Sequence, residues 1–196
     1  MTEERCGCPD AYPDWDGTTV NLGGYCVHEM KIPTFFHMPM AYDMYVSKQA
    51  ENIHQLGLTE RWPGFILTKT GMVGGKIIRI LENEQSPSRL VHFIAGDFLL
   101  MAQMHEGGIG SVPKAAHKMQ QAMIEKGCMP KELYLAHLTC DFCRDAKGGD
   151  KVLMLRRYTA NTRVQQKLED EAKKVARKAA KKAEKAAKEA ASESAE

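Results

Sequence analysis

Two short cysteine pairs carry the most explicit chemistry in the chain: Cys6-Gly7-Cys8 near its start and Cys140-Asp141-Phe142-Cys143 far downstream. A Cys-x2-Cys turn lets two thiolates face one ion, and a second pair completes the sulfur tetrahedron that suits zinc or an iron–sulfur cluster. Cys-x-Cys is not the common zinc-finger spacing, and the pairs lie more than a hundred residues apart, so only tertiary folding can join Cys6 and Cys8 to Cys140 and Cys143. Two other readings stay open, a dithiol redox pair and inert reduced thiols; stable disulfides are disfavoured in the cytosol. Cys26 and Cys128 read as core or helix-end residues, since unpaired cysteine is among the most buried types.

A second group with chemical potential is His105-Glu106, an imidazole beside an acid just ahead of Gly107-Gly108, where a glycine corner lifts side chains toward a groove. Neither residue has a visible nucleophilic partner, and no Ser, His, Asp set can be assembled. His28, His37, His92 and His137 fall in candidate strands, where a hydrogen-bonded, partly buried histidine is the ordinary case. The twelve methionines read as adaptable core filling. Gly71, Gly74 and Gly75 form no phosphate loop, because no Gly-Lys-Ser/Thr follows.

These residues are positioned by a recognisable run of elements. Asp97 to His105 alternates like a strand, Val112 to Lys126 has helical periodicity, and Glu132 to Thr139 and Lys151 to Tyr158 are again strand-like. Ser111 is the expected N-cap, Pro113 suits the first helical turn, and Gly127 is the expected left-handed stop. The first half repeats the order. An extended stretch from Gly24 to Ala41, broken or held at an edge by Pro33 and Pro39, precedes a helix from Tyr42 to Leu58. Trp62-Pro63-Gly64 then turns the chain, and Phe65 to Met72 and Lys76 to Leu81 flank Gly74-Gly75 as a hairpin. The expected class is α+β: a duplicated strand-helix-strand-strand module, residues 25–82 and 89–158, forming an antiparallel sheet with two helices, plus a charged C-terminal helix. Residues 1–24 read as a turn-rich lead-in without a regular element, 25–160 as the folded domain, and 161–196 as a Lys/Ala/Glu-rich tail.

The two-module order, Ile94-Ala95-Gly96-Asp97-Phe98, the His105-Glu106-Gly107-Gly108 corner, the helix ending at Lys126-Gly127 and Tyr134 together resemble the GyrI-like family, the effector-binding domain found behind AraC-type and MerR-type DNA-binding domains. The resemblance implies a groove between the modules that binds flat or cationic small molecules; some members hydrolyse strained electrophiles. It implies ligand contacts from His105, Glu106 and Tyr134, to which Trp62 and His137 are added as candidates, and catalytic roles for Glu106 and Tyr134 if the scaffold is a hydrolase. Members commonly carry a groove-facing glutamate in the last strand. The matching stretch here, Lys151 to Arg157, holds no acid, so Glu106 is the replacement if it points inward. No helix-turn-helix candidate flanks the domain, which reads as free-standing.

Charge and hydropathy set the remaining bounds. With 196 residues, 43% of them hydrophobic, the chain can bury a real core, and its net charge of +2 is concentrated at one end. Residues 171–196 hold eight bases against five acids, which leaves the body nearly neutral and excludes bulk electrostatics as an argument for nucleic-acid binding by the body. The tail is read as a solvated helix, or as a weak arm for nucleic acid or an acidic partner. No run approaches the roughly 20 apolar residues of a membrane helix, and no signal peptide is seen, so the expectation is a cytoplasmic protein with no membrane contact.

Overall fold

The computed structural model describes residues 6–82 and 85–161, together with 164, 166, 167, 170, 173 and 174. Among these residues the strands are β1 (Thr19–Asn21), β2 (Cys26–Phe35), β3 (Met38–Pro39), β4 (Ile66–Lys69), β5 (Gly74–Ile80), β6 (Val91–Phe93), β7 (Leu99–Glu106), β8 (Cys128–His137) and β9 (Lys151–Ala160). The helices are α1 (Tyr42–Gln55) and α2 (Val112–Glu125), the latter entered through a 3-10 turn at Ile109–Ser111. All nine strands belong to one antiparallel sheet in the order β1-β7-β9-β8-β4-β5-β2-β3, with β6 also pairing β2. The class is α+β, and the two modules, β2-α1-β4-β5 and β7-α2-β8-β9, stand as mirror-ordered halves. Their inner strands β4 and β8 meet at a seam registered by Thr68 opposite Leu135. The charged C-terminal helix lies mostly outside the described residues.

Local chemistry explains most boundaries. Pro113 sits in the first turn of α2, and Gly127, at φ 71°, ends that helix in the left-handed conformation that a Cβ resists. Ser111 does not cap α2 as expected: its hydroxyl donates to the Gly108 carbonyl at 2.7 Å and meets His105 Nε2 at 2.7 Å. The expected Gly74-Gly75 hairpin is also corrected, because both glycines open β5 and the turn is made by residues 70–73. Gly75 is needed for space instead, since a Cβ there would stand 2.4 Å from the Lys69 carbonyl oxygen. The lead-in, expected to lack a regular element, contributes β1, whose Thr19, Val20 and Asn21 pair with Met101, Leu100 and Leu99 of β7.

Alternation along the strands divides the interior. Odd-numbered Leu133 and Leu135 of β8 pack with Met119 and Met123 of α2, while Ile66 of β4 and Met30 and Ile32 of β2 pack with Tyr42, Tyr45 and Val46 of α1. Even-numbered Tyr134, Ala136 and Leu138 face the other way, into the largest cluster with Leu100, Leu153 and Leu155. Among the described residues no helix covers that face. Leu22 and Trp15 of the lead-in, with Trp62, Ile94 and Phe98, cover it. None of the helices among the described residues is long and apolar enough to cross a membrane.

A polar network is buried under α1. Arg79 donates to both carboxylate oxygens of Glu60, at 2.7 and 2.8 Å, and to Gln49 Oε1 at 3.1 Å; Gln49 in turn donates to the His28 carbonyl at 2.9 Å. Glu60 also accepts the Gly64 N–H at 3.3 Å, so the network holds the loop that precedes β4 and lies against the lead-in. Removing the carboxylate leaves a desolvated guanidinium; Glu60→Ala should therefore destabilise the fold by about 3–5 kcal/mol in urea titration. His28 is fully buried with Nε2 lacking a partner, and burial, reinforced by the Arg79 charge, pulls its pKa below the ordinary 6.5. The unfolded chain then takes up the proton first, so this residue's contribution is complete above that value and is lost as pH falls toward the lower folded pKa. Unfolding free energy should fall between neutral pH and about pH 5.5 more steeply in the wild type than in His28→Gln.

Candidate functional site

The fold brings the four cysteines together. The sulfurs of Cys6, Cys8, Cys140 and Cys143 all lie within 4.8 Å of one another. Cys140 to Gly149 forms a tight coil: the N–H groups of Cys143 and Arg144 both donate to the Cys140 carbonyl, at 3.1 and 2.9 Å. The Cys140 N–H points at Cys143 Sγ at 3.3 Å. The lead-in reaches this coil because Lys147 Nζ donates to the Pro9 carbonyl at 2.7 Å, and because Gly64 lets the chain come close. A Cβ on Gly64 would meet the Gly7 carbonyl oxygen at 3.0 Å, and its φ of +79° disfavours any other residue.

The donor set fits a metal ion. Cys140 Sγ and Cys143 Sγ are 3.8 Å apart, which matches the edge of a sulfur tetrahedron, roughly 3.8 Å, built on Zn–S bonds of about 2.3 Å. The thiols also respond unequally to their shared space. Burial pushes Cys8 up strongly, and so do its neighbours Cys140 and Cys143. Burial works against the Cys140 thiolate too, but the backbone N–H groups of Cys143 and Phe142 hold that thiol down to about 7. Four sulfurs at this separation cannot all ionise without a cation between them, and four thiolates are what a tetrahedral metal site requires.

Beside the cysteines lies a cavity of about 610 Å³, on the helix-bearing face of the sheet. It opens between the start of α1 and the glycine corner before α2, over the ends of β4, β8 and β9. Tyr42, Val46, Ile66 and Val152 supply apolar surface, and Cys8 and Cys140 belong to its wall. Three carboxylates, Asp43, Asp141 and Asp150, share it with one lysine, Lys151, and with His137. Tyr42 is held by a 2.8 Å hydrogen bond to Thr68 Oγ1, and burial raises its phenol pKa. His137 is open to water yet hemmed in by the cavity walls, which lowers its pKa from the ordinary value and leaves the ring neutral at pH 7. A second hollow, about 560 Å³, lies further along the same seam, with Leu133, Leu135, His37, Lys131 and Arg156 in its lining.

The residues expected from the sequence are not all gathered here. His137 and the two cysteines Cys8 and Cys140 line the cavity. His105 bonds to Ser111, and Glu106 is exposed at the end of β7, opposite Lys151; it is the next residues, Gly107 to Ile109, that reach the cavity. Tyr134 is 2% exposed on the opposite face of the sheet, its ring 5.9 Å from that of Phe98, and burial raises its pKa strongly. Trp62 packs on that opposite face as well, edge to face with Trp15 at 5.4 Å. Sequence reasoning missed Tyr42, Asp43 and Asp150. Asp43 stands in the first turn of α1 and Asp150 directly follows the Gly148-Gly149 pair, so each was visible as punctuation but not as part of a site.

Comparison with known proteins follows the same lines. The crystal structure of the EcmrR C-terminal domain superposes with a TM-score of 0.55 at 10% identity, covering 73% of this chain and 96% of that one. The cryo-EM structure of an EcmrR–DNA complex gives a TM-score of 0.51 at 9% identity, covering 73% of this chain and 57% of that one. At such identities the likeness shows a shared fold and nothing further. No curated protein sequence matches the chain. A family described as bacterial hydrolase matches residues 1–158, a span that takes in the lead-in cysteines, both modules and the Cys140 coil, and the chain is therefore a member of the bacterial hydrolase family.

Proposed function

We propose that this protein binds a small amphipathic molecule, cationic on balance, in the cavity at the seam of its two modules, and that a single tetrahedral ion held by Cys6, Cys8, Cys140 and Cys143 clips the lead-in against that cavity. The observation that carries the reading is the lining itself: Asp43 and Asp150 against one lysine, with Asp141 paired to Arg144 at 3.2 Å, set around Tyr42, Val46, Ile66 and Val152. The carboxylates arrive from α1 and from the loop between β8 and β9, in place of the acid missing from the last strand. Volume and apolar walls are of the kind that enclose a drug-sized ligand. Zinc suits four sulfur donors this close together, whereas a multi-iron cluster would hold them further apart.

Hydrolysis in the same cavity is the second reading, and membership of the bacterial hydrolase family supports it. His137, which lines the cavity and whose lowered pKa keeps its ring neutral, is the group suited to take a proton from an attacking water. Glu106 and Tyr134 are less well placed for this role, one exposed outside the cavity and one buried behind the sheet.

A screen of aromatic and aliphatic cations by thermal shift should find ligands that raise the melting temperature, with the shift lost in Asp43→Asn/Asp150→Asn; at a ligand concentration a hundred times Kd the stabilisation is about 2.7 kcal/mol. Indifference of the double variant's ligand response would remove the cavity from the reading. Screening the same panel together with epoxides and activated esters for turnover tests the hydrolase. Activity should rise with pH through a pKa below 6.5 and then stay level, and should vanish in His137→Asn while ligand binding persists. For the metal, protein purified without chelators should contain one zinc per chain, absent from Cys140→Ser/Cys143→Ser. Loss of the ion should lower stability by about 4 kcal/mol if the metal is present at a thousand times its Kd. Purified wild type with no metal would leave the cysteines as a thiol cluster only.

A further inference from the structure

We infer that the protein is a homodimer joined through the tip of its first module, where the β2–β3 hairpin and the β4–β5 turn lie side by side. Five large apolar side chains crowd this tip, Phe35, Phe36, Met38, Met72 and Val73, and Met40 and Met44 follow at the entry to α1. All seven are between 55 and 86% exposed. The rings of Phe35 and Phe36 stand edge to face with centroids 4.6 Å apart. Backbone bonds fix the tip firmly: the Phe36 and His37 N–H groups donate to the Met72 and Gly71 carbonyls, at 3.0 and 3.1 Å, and the Thr34 hydroxyl donates to Gly71 at 2.7 Å.

The backbone here is held at a cost. Among the described residues the non-glycine positions with positive φ are Phe36 at 45°, His37 at 66° and Ala41 at 51°, all within this one hairpin and its exit. A two-residue turn of this hand is ordinarily made by Asn-Gly, and placing side chains with a Cβ in it costs roughly 1–2 kcal/mol per residue. The two backbone bonds to Met72 and Gly71 hold the turn in this shape, while the Phe36 ring, edge to face with Phe35, stays 62% exposed and so gains little burial in return. Strain of this kind persists where a function uses it, and here its effect is to project an aromatic pair outward.

The occupant follows from area and charge. At roughly 100 Å² of free surface each, the seven side chains present on the order of 700 Å², above the largest patch of a typical monomer and close to the roughly 800 Å² that each partner of a standard interface buries. Phenylalanine and methionine are the residue types enriched at interface centres, where charge is depleted, and none of the seven is charged. An uncharged apolar face is complementary to itself about a two-fold axis, so a second copy meets it without like-charge repulsion. A membrane surface would call for a cluster of free cations around the tip; of the two lysines that share the second hollow with His37, Lys69 is engaged by Glu132 at 3.4 Å and Lys131 supplies a single charge.

Sedimentation equilibrium of the full chain over a range of concentrations tests this. The expected species has twice the 21.9 kDa of the chain. Phe36→Asn/Val73→Ser should raise the dimer dissociation constant roughly thirty-fold or more, the effect of removing a hot-spot side chain. Asparagine tolerates the left-handed conformation, so the variant's melting temperature as a monomer should be unchanged or higher. A wild type that stays monomeric at tens of micromolar overturns the inference. So does a dimer that survives the substitutions, and so does a monomer that co-sediments with vesicles of anionic phospholipid.

Discussion

The short pairing of β4 with β8 governs the rest of the molecule. Each module closes its own sheet and buries one helix, and this seam, registered by Thr68 opposite Leu135, joins the two into one surface. With a helix on the outer part of each half, the strip above the seam is left uncovered. A cavity there is the geometric consequence of two helices that flank a sheet without touching over its centre. Tyr42 marks how closely the two are linked: its ring closes one wall, and its hydroxyl bonds to Thr68 at the seam itself.

The opposite face has the reverse problem, a continuous apolar surface that no helix among the described residues covers. Leaving Tyr134, Leu153 and Leu155 exposed would cost about 1.5–3 kcal/mol for each side chain, and the lead-in removes much of that cost. Trp15 and Leu22 lie on this surface, β1 extends the sheet, and the segment that begins with Cys6 and Cys8 crosses to the Cys140 coil at the cavity's edge. The lead-in is thus both a lid on the core and a wall of the site. A sulfur-bound ion at its start would tie these two roles together, since the same four donors that hold the ion also include two residues of the cavity wall.

The buried charge under α1 serves the same end from the other side. Arg79 and Glu60 are well enough paired to tolerate desolvation, and Glu60 uses its second oxygen to hold the Gly64 N–H, at the point where the chain passes within contact of Gly7 and Cys8. Buried ion pairs add little net stability against apolar replacements, but they constrain geometry. Here the constrained feature is the loop against which the cysteine segment rests.

How far the sequence could be read depended on the range of the interaction. Periodicity, prolines and glycines act over a few residues, and they sufficed for the α+β class, the duplicated module, and α2 with its Pro113 entry and Gly127 stop; they marked the two cysteine pairs as candidate ligands, but only the fold brought the pairs together. They did not suffice for β1, whose three residues form a strand only because β7 offers an unpaired edge, nor for Gly75, whose role is set by the Lys69 carbonyl across the sheet. The cavity was the least legible feature. Which face a strand residue takes depends on register, and a shift of one residue reverses it. Tyr134, from the resemblance, and His137, as an added candidate, were both expected groove residues, and the register of β8 turned one into the core and the other into the cavity. The sequence by itself determined the elements and the chemistry they carry; tertiary structure alone decided which of those groups face one another, because facing is a property of strand pairing between segments far apart in the chain.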